Sequence, residues 1–131
     1  MSSPQNWDEQ LADAKRLRVL VVEDEALVAM LIEDMLIELG FEIIGPAMRL
    51  ESALRMAMDE SFDLAVLDVN LANEQSFPVA NVLQDRGIPF LFATGYGLRG
   101  LDERYKQIVT LQKPFESQQL ADAINYVLAC E

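Results

Sequence analysis

The chain has 131 residues, 51% of them hydrophobic, which suits one ordinary domain with a sizeable core. Its 22 acidic residues against 10 basic ones give a formal charge of −12 that opposes contact with nucleic-acid phosphates, and the lack of any histidine excludes an imidazole base, a histidine metal ligand or a phosphohistidine within the chain. No run approaches the about 18 apolar residues of a membrane span, the start carries no basic, apolar export signal, and the single cysteine, Cys130, cannot form an internal disulfide, so a soluble cytoplasmic protein is expected.

Residues 1–16 are polar, contain Pro4 and read as an N-terminal extension with room for a short helix from Trp7 to Ala14; the domain proper is expected over 17–131. A first strand, Arg18 to Val22, is continuously apolar after its first residue and ends in Glu23, Asp24 and Glu25. Ala26 to Leu39 predicts a helix closed by Gly40, a residue suited to the left-handed position after a helix C-terminus. A short second strand, Phe41 to Gly45, and a second helix, Leu50 to Met58, follow. The third strand, Leu64 to Leu67, is an unbroken apolar run ending in Asp68. Such a run fits a strand covered by helices on both faces.

Ala72 to Phe77 predicts a polar loop, and Pro78 sits where the first turn of a third helix accepts proline, with Arg86-Gly87 as its stop. Ile88 to Ala93 is a fourth strand ending in Thr94 and Gly95. Gly97 and Gly100 shorten or loosen any helix after it, because each costs about 1 kcal/mol against alanine in a helix interior. Ile108 to Leu111 is a weaker fifth strand, followed by Lys113-Pro114, a candidate for a cis peptide bond. Ser117 is placed to cap a last helix whose apolar positions Leu120, Ala123, Ile124, Val127 and Leu128 recur at helical spacing. Strands alternating with helices predict an α/β fold: βαβ units, a parallel sheet and right-handed crossovers.

Four strands end in a group able to do chemistry: Glu23 and Asp24, Asp68, Thr94, and Lys113. Singly, each has a plain structural alternative: Asp24 a helix cap, Asp68 a turn former, Thr94 a strand filler, Lys113 a surface charge. Their joint placement at the carboxyl edge of a parallel sheet, where α/β folds bind ligands, favours a functional site. Two carboxylates about 5 Å apart repel by about 3 kcal/mol at an effective dielectric near 20, so positive charge is needed beside Asp24 and Asp68. Lys113 supplies one. An all-oxygen donor set also suits Mg²⁺, with Glu23, Asp24, Asp68 and the carbonyl of Asn70 as candidate ligands. Asp68 would then attack phosphorus to give an acyl phosphate, while the metal, Lys113 and the Thr94 hydroxyl hold the equatorial oxygens.

On these residues, from Leu17 to Leu128, the chain resembles the receiver domain of bacterial two-component response regulators: the acidic pair Glu23-Asp24, the phosphoacceptor position Asp68, the hydroxyl Thr94 and the pair Lys113-Pro114. The resemblance implies a flavodoxin-like, doubly wound five-stranded sheet in order 2-1-3-4-5 with helices on both faces. It also implies a phosphoprotein that is no turnover enzyme, a histidine kinase or histidine-containing phosphotransfer protein as donor, and an unknown downstream protein as receiver of the signal. The chain departs from the family at Thr110, where an aromatic residue is usual, and at Ala72, where proline is usual. Its run Pro89 to Gly97, PFLFATGYG, is similar to the single-domain subclass with a Phe-Ala-Thr-Gly motif, with Tyr96 as the nearby aromatic, either part of a switch or ordinary packing. The missing aromatic at Thr110 and the glycines make Gly95 to Leu101 the loop expected to reorganise when Thr94 is drawn toward a phosphoryl group.

The rival enzyme reading is a Mg²⁺-dependent phosphatase with an aspartyl nucleophile, for which a second acid two residues on is wanted; Asn70 stands there. A flavodoxin-like nucleotide or flavin carrier would want a glycine- and hydroxyl-rich phosphate cradle after the first strand, where Glu23-Asp24-Glu25 would repel phosphate. A receiver-like fold that is never phosphorylated fits least, since every reactive position is filled.

Overall fold

The computed structural model describes residues 16–95 and 103–129. The helix expected from Trp7 to Ala14, the segment around Tyr96 and Cys130 lie outside the described residues. In chain order the elements are β1 (Arg18–Val22), α1 (Ala26–Glu38), β2 (Glu42–Ala47), α2 (Leu50–Asp59), β3 (Leu64–Asp68), β4 (Asn70–Leu71), β5 (Glu74–Gln75), α3 (Phe77–Arg86), β6 (Phe90–Thr94), a 3₁₀ turn (Glu103–Tyr105), β7 (Thr110–Gln112) and α4 (Ser117–Ala129). Five strands form a parallel sheet in the order β2-β1-β3-β6-β7, the 2-1-3-4-5 arrangement that the resemblance implies.

The unbroken apolar strands are explained by their two covered faces. Along β1 and β3, Leu20, Val22, Ala65 and Leu67 point into one core with residues of α2 and α3, while Val19, Val21, Leu64 and Val66 point into a second core with Ile32 and Leu36 of α1 and Leu120 and Ile124 of α4. Side-chain alternation thus survives while apolar–polar alternation vanishes.

Local stops fall where glycine permits them. Gly40 at φ +96 follows α1, with its N–H on the carbonyl of Ile37 and that of Phe41 on Leu36, a Schellman closure. Gly87 at φ +70 closes α3, which has Pro78 in its first turn. The second strand runs further than its apolar run suggests. Gly45, at φ +100, makes a bulge against β1, after which the strand resumes and Ala47 accepts the N–H of Glu23 at 3.0 Å. A side chain at Gly45 would meet Ala47 N at 2.9 Å and Val21 O at 3.0 Å.

Three further details differ from the sequence expectations. The segment after Asp68 is not an open loop: β4 and β5 pair as a small antiparallel hairpin, Asn70 opposite Gln75 and Leu71 opposite Glu74, closed by Ala72 and Asn73 at φ +46 and +74. Two consecutive residues with positive φ are what a two-residue hairpin turn requires. That φ is closed to proline, which explains why Ala72 does not follow the family habit. Second, Ser117 is the first residue of α4 rather than its cap, because Leu120 N–H already reaches the carbonyl of Glu116; the side chain of Gln119 reaches back to Glu116 N–H at 2.8 Å, half of a capping box. Third, the fifth strand begins at Thr110 rather than Ile108.

Candidate functional site

Each strand end arrives at the carboxyl edge for a local reason. β1 runs out into Glu23, whose backbone N–H is pinned to Ala47 across the Gly45 bulge. β3 and β6 lie in register with Asp68 opposite Ala93, so Thr94 follows at the same level. The N–H of Lys113 donates to the carbonyl of Thr94 at 2.8 Å, and its peptide bond to Pro114 is cis.

Lys113 joins the acids. Its ammonium lies 2.8 Å from Glu23 Oε1 and 3.3 Å from Asp68 Oδ2. Glu23 is fully buried, and its second oxygen accepts the N–H of Glu25 at 3.1 Å. Asp68 is 6% exposed, and its Oδ1 accepts the N–H of Asn70 at 3.3 Å, a turn former's bond that leaves the plain reading of this residue partly true. Asp24 is half-buried; its Oδ2 accepts the N–H of Ala72 at 2.9 Å. It caps no helix, for α1 begins after Glu25 with no side-chain cap. Thr94 is buried within the same edge.

The charge balance is negative. Burial, then the neighbouring Glu23 charge, pushes the Asp68 carboxyl up from 3.8 to about 7, against the opposing pull of Lys113 and the Asn70 N–H. For Lys113, burial alone would lower the ammonium's value, yet its hydrogen bond to Glu23 and the charge of Asp68 leave it raised overall, so it stays protonated. One ammonium therefore faces two buried carboxylates, with Asp24 and Glu25 beside them. Oxygens of Glu23, Asp24 and Glu25 lie within 4.8 Å of one another. Glu25 was not among the candidates drawn from the sequence; its membership depends on the chain's turn after β1, which composition does not reveal. A donor set of carboxylates and carbonyls, in a chain without histidine, fits a hard divalent cation.

A cleft of about 910 Å³ opens here, bounded by Asp24, Asp68, Asn70 and Lys113 and extending along Val28 and Leu31 of α1. Above the other core, Tyr105 is the aromatic that sequence reasoning passed over. It is buried, stacked on Phe77 with centroids 5.1 Å apart and edge-on to Phe92 at 5.8 Å, and its hydroxyl bonds Asn81 of α3. Thr110 instead turns its hydroxyl to the carbonyl of Ile108. A lone aromatic flanked by Arg104 and Lys106 gave no periodic signal.

Residues 19–125 match the response regulator receiver domain. The chain belongs to that family. This receiver is 41% identical to SdrG from Sphingomonas melonis Fr1, whose solution structure superposes with a TM-score of 0.79 over 86% of this chain and 97% of that one. Against the anti-anti-sigma factor PhyR from Bartonella quintana, identity is 28% and the TM-score 0.77, over 96% of this chain and 53% of that one. The transcriptional regulatory protein PdtaR of Mycobacterium tuberculosis is 33% identical over 116 residues, covering 86% of this receiver and 57% of PdtaR, so the receiver spans about half the length of such curated relatives. Among the described residues no helix is long and apolar enough to cross a membrane.

Proposed function

We propose that the chain accepts a phosphoryl group on Asp68 and passes the resulting change to another protein. The observation that carries this reading is the position of Lys113, whose ammonium bridges Glu23 and Asp68 at the open end of a cleft. An Asp68 oxygen attacks phosphorus, the bond from phosphorus to the donor nitrogen breaks, and its electron pair stays with the donor imidazole. Lys113 follows the phosphoryl oxygens as charge shifts onto them, and the Thr94 hydroxyl takes another. Magnesium, held by Asp24, Asp68, the Asn70 carbonyl and Glu23, would neutralise the remaining oxygen charge when bound.

The donor, a histidine kinase or histidine-containing phosphotransfer protein, must bring its phosphorus over this cleft. The exposed apolar side chains of α1 support docking of a helical partner: Leu31, which lines the cleft, is 58% exposed, and Leu27 and Met30 of the same helix are 76% and 57% exposed. PhyR's description as an anti-anti-sigma factor supports a protein as the recipient of the signal, and the Phe92 to Gly95 sequence supports the subclass with the Phe-Ala-Thr-Gly motif. Incubation with acetyl phosphate and Mg²⁺, read by intact mass, tests the proposal. One labile phosphoryl group on the wild type and none on Asp68→Asn is the expected result; steady phosphate release with many turnovers would establish the phosphatase reading instead.

A further inference from the structure

We infer that the β4–β5 hairpin is a positioning device for the divalent cation, working through a single backbone group: the Ala72 N–H that holds Asp24. The inference rests on the cation reading above. Asp24 and Ala72 are 48 residues apart in sequence, and the 2.9 Å bond is the contact through which the β1 end and the hairpin turn meet. The bond occupies Oδ2, which leaves Oδ1 as the oxygen to turn toward Asp68. A ligand carboxylate whose second oxygen is fixed by a donor is the usual way protein sites set ligand orientation.

The hairpin is built to present that donor. Leu71 is buried to its base, and Ser76 N–H bonds the carbonyl of Val69 at 2.8 Å, closing the segment behind the turn. The turn puts Ala72 at φ +46 and Asn73 at φ +74. Asparagine tolerates that region, whereas alanine is rarely found there. Its Cβ makes an unfavourable backbone conformation at the very residue whose N–H reaches Asp24. A conformation of this kind persists when its surroundings hold it, and the bond to the Asp24 carboxylate acts there together with the hairpin pairing. Ala72, Asn73 and Asn70 also line the cleft with Asp24 and Asp68, so the hairpin is a wall of the same site.

Coupling between cation and hairpin must then run in both directions. Removal of the N–H weakens cation binding by some factor, and cation binding protects the N–H by the same factor. Outer-shell donors of this type are worth about 10–100-fold in metal affinity.

The experiment compares Mg²⁺ titrations, followed by amide shifts, of the wild type, Ala72→Gly and Ala72→Pro. Glycine keeps the N–H and relieves the positive φ, so its affinity should stay within about threefold of wild type; proline deletes the donor and also forbids φ +46, so bond and turn are lost together and binding should weaken about tenfold or more. A folded Ala72→Pro protein that binds Mg²⁺ as tightly as wild type overturns the inference. Should Ala72→Pro fail to fold, hydrogen exchange of the Ala72 amide in the wild type decides: Mg²⁺ is expected to slow it about tenfold, and an unchanged rate overturns the inference. A wild type that binds no Mg²⁺ overturns both this inference and the cation reading beneath it, whereas normal binding with an indifferent hairpin overturns this one alone.

Discussion

Replacing Asp68 by asparagine should stabilise the metal-free protein at alkaline pH and do little at acidic pH. The carboxyl is pushed from 3.8 to about 7 by burial and by Glu23, so between those values the folded chain holds a proton that the unfolded chain has released. Stability is fully present below the unfolded value and is lost as the pH rises through the folded one. At about 1.4 kcal/mol per pH unit, a shift of this size amounts to a ceiling of about 4 kcal/mol. Because the shift is shared with the charges that surround Asp68, about half of that is the lower expectation. Asparagine keeps the shape and an oxygen for Lys113 but carries no charge. Urea unfolding in a chelating buffer from pH 4 to 8 should therefore show near parity at the acid end and an advantage for Asp68→Asn of about 2–4 kcal/mol at pH 8. Saturating Mg²⁺ should shrink the gap by stabilising the wild type. A difference constant across this range, or one that favours the wild type increasingly as pH rises, would refute the electrostatic account of the pocket.

Lys113→Met removes the ammonium between two buried carboxylates and should cost about 3–5 kcal/mol at pH 8 in urea titration, with loss of labelling by acetyl phosphate; a cost below about 1 kcal/mol would mean the three groups are not coupled as their distances indicate. Gly45→Ala places a Cβ 2.9 Å from Ala47 N at φ +100, whereas at Gly87, φ +70, a Cβ meets nothing within 4 Å. The first should therefore cost about 3 kcal/mol, at the upper end for such strain, and the second about 1 kcal/mol, with thermal melts giving the order. Tyr105→Phe should lose about 1 kcal/mol with the Asn81 bond, and Tyr105→Ala about 3–5 kcal/mol with the aromatic stack; equal losses would deny the stack its weight.

The sheet was legible because burial on both faces leaves its mark on composition. Runs such as Leu64 to Leu67 and Phe90 to Ala93 are apolar at every position, and the elements between them have helix length, which leaves few topologies. What escaped was governed by single backbone bonds. Nothing in Glu42 to Ala47 announces that the strand continues past a bulge, since Gly45-Pro46 reads as a stop. The β4–β5 hairpin lacks the Asn-Gly signal of its turn type, because Ala72 occupies the first positive-φ position with its N–H on Asp24, a residue just beyond the end of β1. Tyr105 reached the core from a turn too short to have a period.

The site was more legible than the loops around it for a thermodynamic reason. A sequence that ends buried strands in Glu23 and Asp68 and brings Lys113 between them places charge where burial costs several kcal/mol per ion, and the mutual attraction of one ammonium with two carboxylates offsets only part of this. The raised value of Asp68 measures what is left over. Purely structural needs at these positions would be met more stably by apolar or singly hydrogen-bonded groups. The residual negative charge is instead what a divalent cation would neutralise, and under the proposed function the arrival of that positive charge frees Asp68, held close to Lys113, to attack phosphorus. Under the proposed function, the same imbalance that costs the fold stability gives occupancy its effect, since each bound positive charge returns free energy at Asp24 and Asp68.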